Sequence, residues 1–251
     1  VAPCSPFTVT GELMRESADL ARSRGVRLHT HLAETTDEAD WCQERFGRTP
    51  SEYAEDLGWT GPDVWFAHGI HFDDAEIKRL GQTATGVAHC PTSNARLGAG
   101  IARVADLRLA GSPVGLGVDG AASNEAGSLL EELRHALLFA RARGGPQALG
   151  VRAALEMATL DGARILGRED EIGSIEVGKL ADLALWRLDT LAHAGIEDPV
   201  AALVLGSPPP LELLLVNGRP VVERDVVVTV DEHALAVQVA RVQHSLLAKA
   251  G

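Results

Sequence analysis

Residues 26–34 read VRLHTHLAE, and three later stretches repeat the pattern: DVWFAHG at 63–69, TGVAHC at 85–90 and PVGLGVD at 113–119. Each is a short, β-rich apolar run that closes on an imidazole or a carboxylate: His31, His68, His89 and Asp119. Helical patterns lie between the runs, and that alternation implies parallel strands joined by helical crossovers. A closed parallel barrel collects its reacting groups at the C-terminal ends of its strands. The expected fold is therefore α/β, a (β/α)8 TIM-like barrel, with a metal-dependent hydrolytic centre at one rim.

The remaining barrel elements follow from capping and periodicity. Val1–Phe7 reads as a strand, and Thr10 caps a helix with Leu13, Ser17, Leu20 and Ala21 facing inward. Strands are expected at Val26–Leu32, Val64–His68, Thr85–His89 and Pro113–Val118. Helices are expected from Thr35 to about Phe46, after Pro50, and over Asp73–Leu80, Val104–Ala110, Leu129–Arg143 and Val151–Leu166. NARLGAGIA, after His89, reads as a glycine-rich loop. Five parallel strands result, against the eight of a closed barrel. They read as strands four to eight, and with Val1 in place of methionine they suggest sequence upstream.

After Gly167 the pattern changes to short strands, with turns at Val177–Gly178 and Asn217–Gly218. Asn-Gly between apolar runs is a strong hairpin signal. Residues 1–166 are thus expected to form a partial hydrolase barrel, and 167–251 a C-terminal β-sandwich portion ending in a helix capped by Asp231.

Net charge is −12, from 35 acidic and 23 basic residues, which argues against nucleic acid or an anionic membrane as partner. The three cysteines, Cys4, Cys42 and Cys90, form no CxxC and fit reduced thiols in the cytoplasm. A small molecule is the expected partner, and sheet left open by absent strands would favour homo-oligomers.

HxxE at His31–Glu34 joins a candidate metal ligand to a carboxylate that can shuttle a proton without ligating. His29 shares a strand face with His31. Only 88 positions separate His31 from Asp119, room for about three more strand–helix units at roughly 30 residues each. His29 is therefore a packing residue rather than the opening ligand of a complete barrel. His68 can polarise the attacked group or hold the hydrolytic water. His89 can contact substrate, as can Asn94 and Trp41 from neighbouring loops. Asp119, buried after an apolar run, needs a metal or a histidine partner to offset its desolvation. No lysine lies on a barrel strand, so a bridged two-metal centre is not expected and one metal ion is favoured.

Taken together, VAPCSPFTVT, HLAET, AHGIHF, HCPTSNARLGAGIA, GLGVDGAASNE, RAALEMATLDGARILGR and IGSIEVGKLADL resemble the amidohydrolase superfamily. The similarity is to its aminohydrolase branch of cytosine, guanine, S-adenosylhomocysteine and 8-oxoguanine deaminases and triazine hydrolases. The resemblance implies a distorted (β/α)8 barrel with a β-sandwich. It implies His31 and Asp119 as metal ligands, Glu34 as proton shuttle, and His68 beside the hydrolytic water. It further implies one divalent metal, zinc or iron, and hydrolytic deamination of an aminopurine-like, 8-oxoguanine-type ring. Hydrolysis of a triazine or other N-heterocycle substituent is the alternative on the same scaffold. The family's strand-one HxH ligand pair has no counterpart here. The chain therefore matches the C-terminal part of such an enzyme, expected to be inactive alone, and a non-catalytic fragment is the remaining alternative.

Overall fold

The computed structural model describes residues 1–250 and divides into two compact units, Val1–Ser174 and a second that starts at Ile175. In the first unit β1 (Leu28–Leu32), β2 (Val64–His68), β3 (Gly86–His89) and β4 (Val114–Leu116) form one parallel sheet in that order. Parallel neighbours need crossovers, and helices supply them: α2 (Thr36–Phe46) and α3 (Pro50–Asp56), then α4 (Asp74–Thr83), then α5 (Pro91–Arg96) and α6 (Val104–Ala110). α1 (Gly11–Ser23) precedes the sheet; α7 (Leu129–Gly144), α8 (Val151–Ala158) and α9 (Leu160–Leu166) follow it.

Strand parity separates a packed face from an open one. Leu28, Leu32, Val64, Phe66, Val87 and Val114 are all at most 1% exposed and form the core. The opposite face carries His29, His31, Trp65, Ala67, Ala88 and Gly117 and lines a cavity of about 230 Å³. Small residues there let α9 approach the sheet. A Cβ at Gly115 would sit 2.9 Å from Gly162 Cα, and one at Gly86 2.8 Å from Ile165 Cγ2.

Of the five expected parallel strands, the first departs from the expectation. Val1–Phe7 runs beside β1, and its Val1 and Cys4 carbonyls accept from the His29 and His31 N–H groups at 3.0 and 3.1 Å. A parallel ladder would then require return bonds from the N–H groups of residues 3 and 6. Both are proline and have none, so no strand forms.

Three local differences also have physical causes. α1 is capped by Thr10 as expected, yet it buries Met14, Ser17, Ala18 and Ala21, leaving Leu13 and Leu20 exposed. The inward stripe is set by the small residues that let the helix lie close. The helix expected over Val151–Leu166 breaks at Thr159, whose ψ of −95° ends α8 and starts α9. The loop expected after His89 opens instead as α5, with Pro91 in its first turn.

In the second unit β5 (Leu183–Trp186), β6 (Leu211–Val216), β7 (Arg219–Glu223) and β8 (Val226–Val227) form an antiparallel sheet. Asn217 and Gly218, both at positive φ (49° and 74°), make the two-residue hairpin turn between β6 and β7. Val177–Gly178 lies in a connecting segment rather than between strands. Asp231 accepts from Ala234 N and opens α11 (Glu232–Ala250).

Ala84 ends α4 in the left-handed region, at φ 53°. An L-residue with a Cβ pays for that conformation and glycine does not. Ala84→Gly is expected to stabilise the first unit by about 1 kcal/mol, seen as a rise of about 3 °C in its thermal midpoint. An unchanged or lower midpoint would contradict this account of the cap.

Candidate active site

Two residues predicted as functional occupy strained backbone. His68 has φ 73° and Asp119 φ 63°, both in the left-handed region that side chains with a Cβ avoid. The sheet register explains the first. His68 pairs with Leu32, so plain alternation would put its ring on the packed face. The left-handed turn redirects it, and the ring lies 5.4 Å from that of His31, nearly parallel. Both strained residues precede a glycine, which lets the chain leave the rim.

His31 is held by one contact: its Nδ1 sits 2.5 Å from the Cys4 carbonyl. A carbonyl only accepts, so Nδ1 carries the proton and the Nε2 lone pair is left for a ligand. This is how imidazole ligands are commonly oriented. His29, on the same face, stacks on Trp65 with ring centroids 3.6 Å apart. Burial, with His31 and His68 nearby, pushes its imidazole down to about 4, so it is neutral at pH 7.

His68 is buried, and its Nδ1–H donates to Asn94 Oδ1 at 2.9 Å. Its Nε2 faces Glu34 Oε2 at 3.5 Å. At that separation the two groups face one another directly, just beyond normal hydrogen-bond length. Glu34 lines a second cavity of about 490 Å³ with His31, Phe7 and Trp41. Phe7 meets Trp41 edge-on at 5.6 Å, giving this cavity an aromatic wall suited to a flat ring.

Asp119 lines the smaller cavity with His31. Its Oδ2 accepts from Ser93 Oγ at 2.5 Å and Ser123 Oγ at 3.3 Å, and its Oδ1 from Gly120 N at 2.7 Å. Burial alone would raise its carboxyl; the Ser93 and Gly120 hydrogen bonds, with His68 close by, outweigh burial and hold it below the usual range.

The rim therefore brings together His31, Glu34, His68 and Asp119, with Trp41 on the larger cavity's wall. Asn94 is 1% exposed and committed to His68. His89 follows the parity of Val87 onto the packed face; it lines neither cavity, and burial pushes its imidazole down to about 3. Cys90 takes the cavity side instead. Its thiol is pushed up to about 12 by burial, Asp119 and Glu132, so it stays protonated.

The donor chemistry fits a divalent metal in part. A free imidazole nitrogen and an ionised carboxylate border one cavity, yet among the described residues no group of three or more His, Cys, Asp or Glu is placed to hold an ion. Catalytic zinc takes about three protein ligands.

The amidohydrolase family model matches residues 1–221. The chain belongs to the amidohydrolase family. Family members similar to it include 8-oxoguanine deaminase of Pseudomonas aeruginosa, 50% identical over 218 residues, 87% of this chain and 48% of that protein. A zinc-bound adenosine deaminase from Xanthomonas campestris superposes with a TM-score of 0.95 at 29% identity, over 98% of this chain and 57% of that one. The zinc complex of atrazine chlorohydrolase from Arthrobacter aurescens gives 0.91 at 34% identity, over 96% and 54%. The chain spans about half the length of the curated relatives it matches.

Ser93, Ser123, Phe7 and Glu38 are site neighbours that the sequence did not single out. Glu38 is the least obvious. Its Oε1 accepts from the N–H groups of Glu34 and Thr35 at 3.0 and 3.2 Å, which fixes the loop that presents Glu34. Its Oε2 is buried without a partner. Burial, against those backbone hydrogen bonds, pushes its carboxyl up from 4.5 to about 7. The folded state then binds more protons than the unfolded one between those two values, so this group's contribution to stability falls as pH rises through that window. Glu38→Gln keeps the acceptor and cannot ionise. Urea unfolding from pH 5 to pH 8 is expected to show the variant gaining about 2 kcal/mol on the wild type across that range. A pH-independent difference between the two would refute the assignment.

Proposed function

We propose that the chain carries half of the reaction centre of a zinc-dependent aminohydrolase that deaminates an aminopurine-like ring of the 8-oxoguanine type. The observation that supports this best is the convergence of His31, Glu34 and His68 at the ends of β1 and β2. The 50% identity to a deaminase that acts on 8-oxoguanine favours the substrate class.

His31 Nε2 and the Asp119 carboxylate would hold the metal. When bound, it supplies the Lewis acidity that makes water a nucleophile near neutral pH. Glu34 lies beside the aromatic-walled cavity, takes the first proton from the attacking water and carries it to the ring nitrogen next to the attacked carbon. His68, with Nδ1–H spent on Asn94, turns Nε2 toward the reacting oxygen and orients it. Asp119, ionised, takes the second proton from the hydroxyl thus added to the ring and passes it to the amino group. The amino group leaves as ammonia, and the carbonyl forms in its place. Phe7 and Trp41 stack the ring and limit water around it. Three unpaired cysteines fit a reducing compartment, and the cytoplasm is the location proposed. Among the described residues no helix is long and apolar enough to cross a membrane. A homo-oligomer that covers the open sheet edges is the assembly proposed.

A panel of 8-oxoguanine, other aminopurines, an aminopteridine and amino- and chlorotriazines tests the reading, with ammonia and chloride both measured. The polypeptide used should have the relatives' full length. Ammonia from the purines is expected; chloride release alone would replace deamination by dehalogenation. Glu34→Gln is expected to lower turnover at least ~100-fold while metal content stays the same. Full activity in that variant would remove Glu34 from the mechanism.

A further inference from the structure

Asp119 and His68 reach the rim from different strands, and both are held by one short helix. Ser93 of α5 donates to Asp119, and Asn94 of α5 accepts from His68. A six-residue helix has too few internal hydrogen bonds to hold its own orientation. Something outside it must do so, and α7 is in contact with it at two points. The Glu132 carboxylate, 1% exposed, accepts from Thr92 N at 3.0 Å, and His135 Nδ1 lies 2.7 Å from the Thr92 hydroxyl.

The same carboxylate has a second arm. Its Oε1 accepts from Asn124 Nδ2 at 2.8 Å, and that nitrogen's other hydrogen goes to the Val118 carbonyl, also at 2.8 Å. Val118 is the residue before Asp119, whose left-handed backbone needs outside support to persist. A buried carboxylate is costly where neutral groups are its described partners. Both oxygens are engaged: Oε1 leads through Asn124 to Asp119, and Oε2 leads through Thr92 and α5 to His68 and, by way of Ser93, to Asp119 as well.

We propose that Glu132 is a positioning residue for the reaction centre, holding Asp119 through Asn124 and Val118, and His68 through Thr92 and α5. This rests on the aminohydrolase reading only for its kinetic consequence; the placement of the two side chains is independent of it. Glu132 touches neither the proposed metal position nor either cavity, so it acts only through others.

The test compares three variants. Glu132→Gln offers one acceptor to two donors, so an arm is lost even though shape is kept. Asn124→Ala cuts the arm through Val118, together with the local Gly127 N–H bond to Asn124 Oδ1, and leaves the Thr92 arm in place. Leu137→Ala removes buried packing from the same helix and touches neither arm. Side-chain NMR of this chain reads the His68 Nδ1–H and the Asp119 carboxyl carbon. Glu132→Gln is expected to shift or broaden both signals, Asn124→Ala to shift Asp119 while sparing His68, and Leu137→Ala to leave both in place. If Glu132→Gln fails to fold, Asn124→Ala against Leu137→Ala still decides the arm through Val118. In a full-length enzyme, Glu132→Gln is expected to lose on the order of 100-fold in kcat with KM nearly unchanged, as a misplacement of about 1 Å would cause. Unshifted His68 and Asp119 signals in Glu132→Gln, or equal shifts in Leu137→Ala, would overturn the proposal. Failure to deaminate any substrate would count against the aminohydrolase reading and leave the NMR result standing.

Discussion

Side-chain alternation along a strand is the constraint on which the site depends. A parallel sheet packed on one face has only every second residue available on the other. His31 meets that rule and reaches the rim directly. His68 does not; its position in register belongs to the core. The chain reverses this by placing His68 in left-handed backbone, and Asp119, just beyond β4, adopts the same conformation. Each such residue costs on the order of 1–3 kcal/mol. Strain of that size persists only where several contacts enforce it, and here Asn94, Ser93, Ser123 and Gly120 do so.

Electrostatics around the rim follow from the same arrangement. His29, on the open face, is drawn toward neutrality by burial and by the neighbouring His31 and His68. Carboxylates divide according to their donors. Asp119 has three good ones and stays ionised; Glu38 has backbone donors on one oxygen only and is poised near neutrality. Two carboxyl groups near the rim thus differ in their preference for a proton because their hydrogen-bond donors differ.

Much of this could be read from residues alone. Strands ending at His68 and His89, the Val104–Ala110 helix and the Asn217–Gly218 hairpin follow from local pattern, because each is bounded by a residue with one strong backbone preference. The failures have equally local causes. Val1–Phe7 has the composition of a strand, but its two prolines fall where the ladder needs donors, and only the register reveals that. Leu13 and Leu20 look like core, yet the close approach of α1 selects alanine and serine. Period-two parity after Gly86 already assigns His89 to the packed face once Val87 is known to be buried. Asn94 and Ser93 were beyond reach because their roles depend on contacts 26 residues distant in sequence.

The bonding of the first residues also bears on how this molecule would fail. His31 takes its tautomer from the Cys4 carbonyl, and Cys4 sits on a segment that receives bonds from β1 and returns none through Pro3 or Pro6. The ring that would bind the ion is thus steered by a carbonyl that β1 itself holds in place, through the His31 N–H and the Thr30 hydroxyl. A substitution that shifted Cys4 would turn the imidazole while the buried Leu28–Phe66 layer stayed intact. Affinity for the cation would then fall with no change that a folding assay could see.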